Sequence, residues 1–161
     1  MKQYIGTKMI QAEPAYRYWL DSGEKVIVAH DEDKPNKVKD ATACDDGYKV
    51  RYPDGYVSWS PKGVFEEAYR PTEGMSFGLA IEAAKRGERI ARKGWNGKGM
   101  YVFLADDVEF NTDADISEFY GSADGVYVAP MLVLRTAQGN LQPGWLATQS
   151  DMLAEDWHIV E

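Results

Sequence analysis

Apolar and polar residues alternate along two stretches near the start of this chain. They are Tyr4–Tyr16 (YIGTKMIQAEPAY) and Glu24–His30 (EKVIVAH), and the two-residue period predicts strands. A polar, charged run with Pro35, Asp31 to Gly47, interrupts the pattern and predicts a loop. After it YKVRY and YVSWS flank Pro53-Asp54-Gly55, which supplies the fixed φ and the left-handed position of a short turn, so a hairpin is expected. Ser60 followed by Pro61 predicts the N-cap and first residue of a short helix running through Phe65 to about Tyr69. Arg70-Pro71 should stop it.

The period changes in MSFGLAIEAAKRGERI. Phe77, Ala80, Ile81 and Ala84 fall on one helical face, Ser76 is placed as N-cap, and Gly87 sits where a left-handed residue ends a helix. ERIARKG, MYVFLA and PMLVLRTA then predict strands, and QGN turns the chain toward LQPGWLA. Asp106 to Gly125 is acidic and predicts an inserted loop. TQSDMLAEDWHIV predicts a turn capped by Thr148 or Ser150, then a last strand over Trp157–Val160. The expected fold is α+β. A small β-rich N-terminal module (residues 1–71) precedes a C-terminal domain (residues 74–161) in which one main helix packs an antiparallel β-sheet, with the acidic insert at about 105–125.

Composition narrows what such a chain can do. Its 161 residues, 44% hydrophobic, suffice for a real core. No apolar run approaches the roughly 18 residues of a membrane span, and MKQYIGTKMI lacks the apolar core of a secretory signal, so a cytoplasmic protein is expected. One cysteine, Cys44, excludes an intrachain disulfide, and with His30 and His158 it is poor material for a zinc cluster. The net charge of −8 argues against a protein that coats DNA or RNA. The charge is segregated, however. Lys85 to Lys98 holds six bases and one acid, whereas Ala105 to Asp124 holds seven acids and no base.

The basic stretch ends in RKGWNGKGM, Arg92 to Met100, with three glycines, three cations, an indole and an amide in nine residues. A tight hairpin, a phosphate-gripping loop and a nucleic-acid surface are all compatible with it. The segment lacks the spacing and terminal Lys-Ser/Thr of a P-loop. NTDADISE begins like a calcium loop, but Ile116 stands at the glycine position and Ser122 at the twelfth. No nucleophile motif accompanies either histidine, and Asp106-Asp107 lies in a polar run where nothing would separate two pKa values, so an enzyme is not expected. What remains suits holding a nucleotide: Trp95 for a base face, Arg92 and Lys93 for phosphate, Asn96 for base or ribose edges. Trp95 as a packing residue is the competing reading. Trp59, Tyr52 and Tyr56 on the first hairpin pose the same choice between a second recognition surface and a module core.

MSFGLAIEAAKRGERIARKGWNGKGMYVFL and PMLVLRTAQGNLQPGWLATQSDMLAEDWHIVE, in that order, resemble a family of small phage and prophage proteins that includes the second class of Thoeris anti-defence proteins. The resemblance covers Met75 to Glu161 apart from the acidic insert. It implies a sponge that binds cyclic ADP-ribose isomers made by bacterial TIR-domain immune proteins and releases them unchanged in the infected host's cytoplasm. It implies homotetramers with pockets where protomers meet, and neither cofactor nor metal. The ligand-binding set carried over is Arg92, Trp95, Asn96, Met100, Thr148, Gln149, Ser150 and Asp151. Cyclic oligonucleotides of the CBASS type are the alternative ligand, and inhibition of a host effector by protein binding is the alternative mode. The first 71 residues depart from the small members; YKVRYPDGYVSWSPKGVFEEAY resembles a short module at the start of various phage proteins.

Overall fold

The computed structural model describes residues 3, 7–30, 38, 40–106, 108–110 and 126–161, with the backbone alone at 108–110 and 126–128. The chain divides into two compact units, Met1–Arg70 and Pro71–Glu161.

The first unit is a four-stranded antiparallel sheet in the order β2-β1-β3-β4, made of β1 (Gln11–Leu20), β2 (Lys25–Ala29), β3 (Ala41–Arg51) and β4 (Val57–Pro61), followed by helix α1 (Lys62–Ala68). The Pro53-Asp54-Gly55 hairpin forms as the sequence predicts, with Gly55 at φ +86. Three expectations are corrected. The first strand begins at Gln11, as described residues Thr7–Ile10 have no regular structure, and residues 4–6 of the expected strand lie outside the described residues. The expected loop Asp31–Gly47 gives way to strand from Ala41, because Asp45 faces Arg17 across the ladder and accepts from Arg17 Nη2 at 2.7 Å and Trp19 Nε1 at 3.1 Å. Residues 31–37 and 39 of that expected loop lie outside the described residues. Finally, Ser60 does not cap α1: it is paired with Tyr48 in β4, and the N-cap position falls on Pro61, without a side-chain hydrogen bond.

Strand alternation separates the hairpin aromatics. Tyr52 and Tyr56 stack at 5.8 Å on the side of Tyr48, whose ring stacks on Phe65 of α1 at 4.1 Å. Trp59 points to the other side, where the Arg17 guanidinium lies 3.8 Å from its ring centroid. The three therefore form no single surface.

In the second unit a five-stranded antiparallel sheet runs in the order β10-β9-β6-β5-β11. Its strands are β5 (Ile90–Arg92), β6 (Tyr101–Ala105), β9 (Met131–Arg135), β10 (Leu141–Pro143) and β11 (Trp157–Ile159). Helix α2 (Phe77–Ala84) covers one face and ends ahead of Gly87, at φ +90. Ser76 holds the expected N-cap position but makes no side-chain cap bond. Small Ala80, Ala83 and Ala84 let the helix approach Ile90, Val102, Leu134 and Trp157 closely, forming the core with Met75. Trp157 is fully buried; burial of a side chain that size stabilises by roughly 1.5–3 kcal/mol. The acidic insert is not all loop: β7 (Val108–Phe110) pairs with β8 (Val126–Val128) as a two-stranded ribbon, and 107 and 111–125 lie outside the described residues.

Candidate functional site

Antiparallel pairing of β5 with β11 sets Trp157 opposite Arg92 and so brings the segment after β10 against the glycine-rich turn. That segment opens with helix α3 (Gln149–Met152). Thr148, and not Ser150, is its cap: Asp151 N–H donates to Thr148 Oγ1 at 3.2 Å, and Thr148 N–H donates back to Asp151 Oδ2 at 3.0 Å. This reciprocal capping box satisfies two donors that the helix start would otherwise leave open. Ser150 Oγ lies 2.9 Å from Thr148 Oγ1.

Asp151 is the hub. Its Oδ2 also accepts from Thr148 Oγ1 at 2.7 Å, while Oδ1 accepts from Arg92 Nη1 at 2.9 Å and Trp95 Nε1 at 3.1 Å. Trp157 Nε1 donates to its backbone carbonyl at 2.9 Å. The residue is 6% exposed. Burial alone would raise its pKa, but the hydrogen bonds from Thr148, Arg92 and Trp95 outweigh that and lower it to about 2. Arg92 also donates from Nε to Asp156 Oδ1 at 2.8 Å and from Nη1 to the Ser150 carbonyl at 3.1 Å. Hydrogen bonds to Asp156 and Asp151 raise the Arg92 pKa, and the guanidinium holds Asp156 below the usual carboxylate range.

Trp95 is half-buried. Its ring meets Trp145 and Trp157 edge to face, at 6.0 Å and 5.5 Å between centroids, the orientation favoured by the ring quadrupoles. Met100 packs on the same core and closely against Gly97, where an added Cβ would collide with Met100 Sδ. Of the sequence-predicted residues, Arg92, Trp95, Thr148, Ser150 and Asp151 thus meet in one network. Met100 lies in the apolar layer beside it, and Asn96 and Gln149 are exposed at its edge together with Lys93 and Lys98. Sequence reasoning missed Asp156, Trp145 and Trp157. The signal was slight: an acid directly before the last strand, and two tryptophans in the family-like stretch.

The arrangement is an aromatic-backed, hydrogen-bonded corner whose two segments also carry exposed cations, hydroxyls and amides. Among the described residues, no group of three or more His, Cys, Asp or Glu is placed to hold a metal ion.

Comparison with known proteins bears on the same residues. Positions 75–160 match the family described as the Thoeris anti-defense 2-like domain. A protein of Bacillus phage SP01, Thoeris anti-defense 2, is 40% identical over 91 residues, covering 53% of this chain and 94% of that relative.

Proposed function

Because the chain belongs to the Thoeris anti-defense 2-like family, we propose that it captures a cyclic ADP-ribose isomer and holds it intact, withdrawing the signal from host immunity. Family membership supports a phage anti-defence role, which is exercised in the infected host cell. Among the described residues no helix is long and apolar enough to cross a membrane.

One observation carries the proposal. The two stretches that define the family likeness are folded onto each other through Asp151, which ties Arg92 and Trp95 to the capped start of α3. Asn96, Gln149 and Ser150 are exposed on the two segments that this network joins, as are Lys93 and Lys98, which carry positive charge for a pyrophosphate. Capture rather than cleavage fits the chemistry of the two carboxylates. Asp151 accepts from four donors, and Asp156 is occupied by Arg92 and the Gly94 amide. Both are held ionised below the ordinary carboxylate range, which makes them weak bases, so neither is poised as a general base.

Assembly belongs to the same reading. Register places Tyr101, Phe103 and Leu141 on the sheet face opposite α2, beside Arg135 and the buried Val133, and this mixed face is the one we assign to contact with a second copy in a homotetramer.

Calorimetric titration of the full chain with a panel of cyclic ADP-ribose isomers and cyclic oligonucleotides tests the function. Saturable binding of a cyclic ADP-ribose isomer is expected. Binding only to cyclic oligonucleotides, or to no nucleotide, would overturn it.

A further inference from the structure

The glycine-rich turn carries Lys93 and Asn96, both exposed, and Gly94, Gly97 and Gly99 leave its backbone conformationally permissive. Few bonds hold it. Trp95 N–H reaches the Arg92 carbonyl at 3.3 Å, and Lys93 N–H reaches the Asp156 carbonyl at 3.2 Å. The Gly94 N–H donates to Asp156 Oδ2 at 2.8 Å, while Oδ1 of the same carboxylate takes Arg92 Nε at 2.8 Å. Asp156 thus grips the turn at two places, by side chain and by main chain, from the start of β11.

The two acids on Arg92 have separable duties. Asp151 is buried and also completes the capping box of α3, so the local fold depends on it. The Asp156 side chain is 32% exposed and, among the described residues, bonds to Arg92, to the Gly94 amide and to its own backbone. The Arg92–Asp151 pair at 2.9 Å and the capping box of α3 do not involve it, whereas the Gly94 amide has it as partner.

From this geometry we infer that Asp156 is a positioning residue for ligand capture: it fixes the turn from Arg92 to Gly97 in its binding shape before ligand arrives. This rests on the nucleotide-capture reading above. A turn ordered in advance loses less freedom on binding, so affinity depends on the clamp although the carboxylate need not touch ligand.

The test uses the full chain and its Asp156→Asn variant. An amide at this position must turn its NH2 toward either the Gly94 N–H or Arg92 Nε, setting donor against donor. Hydrogen exchange in the ligand-free variant should quicken over residues 92–97 and stay at the wild-type rate in β6 and β9. Affinity for the cyclic ADP-ribose isomer that the wild type binds should fall roughly tenfold, and Asp156→Glu should recover part of it. Gly94→Ala is an independent probe, since its Cβ would sit 3.0 Å from Asp156 Oδ2 and 3.3 Å from Arg92 Nη2 without removing any partner. It should lower affinity several-fold in a folded protein even where Asp156→Asn proves unstable. Wild-type affinity in folded Asp156→Asn or Gly94→Ala would overturn the clamp and leave nucleotide capture standing. Failure of the wild type to bind any isomer would overturn both. Faster exchange across β6 and β9 in every variant would mark Asp156 as a general stabiliser and also refute the inference.

Discussion

A single carboxylate, Asp151, joins the two stretches of the site, and its titration gives the clearest expectation. Its pKa is depressed from 3.8 to about 2 in the folded chain. The stability it contributes is present above the unfolded value, near pH 4, and is lost as pH falls through about 2. The shift corresponds to roughly 2 kcal/mol. Thermal unfolding of the second unit should therefore weaken across that acidic window, and Asp151→Asn should flatten the dependence; an unchanged profile would show that the network adds nothing. Trp95→Ala reports on the other partner. The indole is half-buried against Trp145 and Trp157, so truncation should cost roughly 1–3 kcal/mol, below the ~3–5 kcal/mol of a fully buried tryptophan. The chain should stay folded and lose ligand retention. Collapse of the fold with unaltered affinity would make Trp95 purely structural.

Elements were legible where local chemistry decides them. Pro53-Asp54-Gly55 marks its hairpin, and the alanine spacing with Gly87 marks α2 and its end. The N-terminal half of β3 was hidden because Asp45, Asp46 and Gly47 have the composition of a loop. Their strand form depends on partners distant in sequence: Arg17 neutralises Asp45, Trp19 donates to it, and Gly47 leaves room for the Trp59 ring. An added Cβ at Gly47 would lie 2.6 Å from that ring and would meet the Ser60 carbonyl. Gly47→Ala should accordingly destabilise the first unit by about 1–3 kcal/mol, measured as a lowered unfolding midpoint. An unshifted midpoint would mean that the sheet yields there without strain. The site divides in the same way. RKGWNGKGM and the Thr148 cap are visible as motifs, whereas the Asp156–Arg92 bond spans 64 residues and exists only through strand pairing.

Taken together, an acidic chain of net charge −8 sets a basic, glycine-rich turn against a capped acidic segment, and carries Tyr101 and Phe103 beside Arg135 on the sheet face of its second unit that lies away from α2. If that face joins protomers, Phe103→Asp should reduce the mass seen by light scattering to that of a smaller species, while wild-type mass would exclude the face from assembly. The decisive measurement concerns the ligand itself. Wild-type chain is incubated with each cyclic ADP-ribose isomer in turn, freed of excess, and heated, and the released nucleotide is weighed by mass spectrometry. The expected result is the ring returned at the mass offered, in proportion to the protein. A product heavier by one water, or no nucleotide at all, would contradict capture without cleavage.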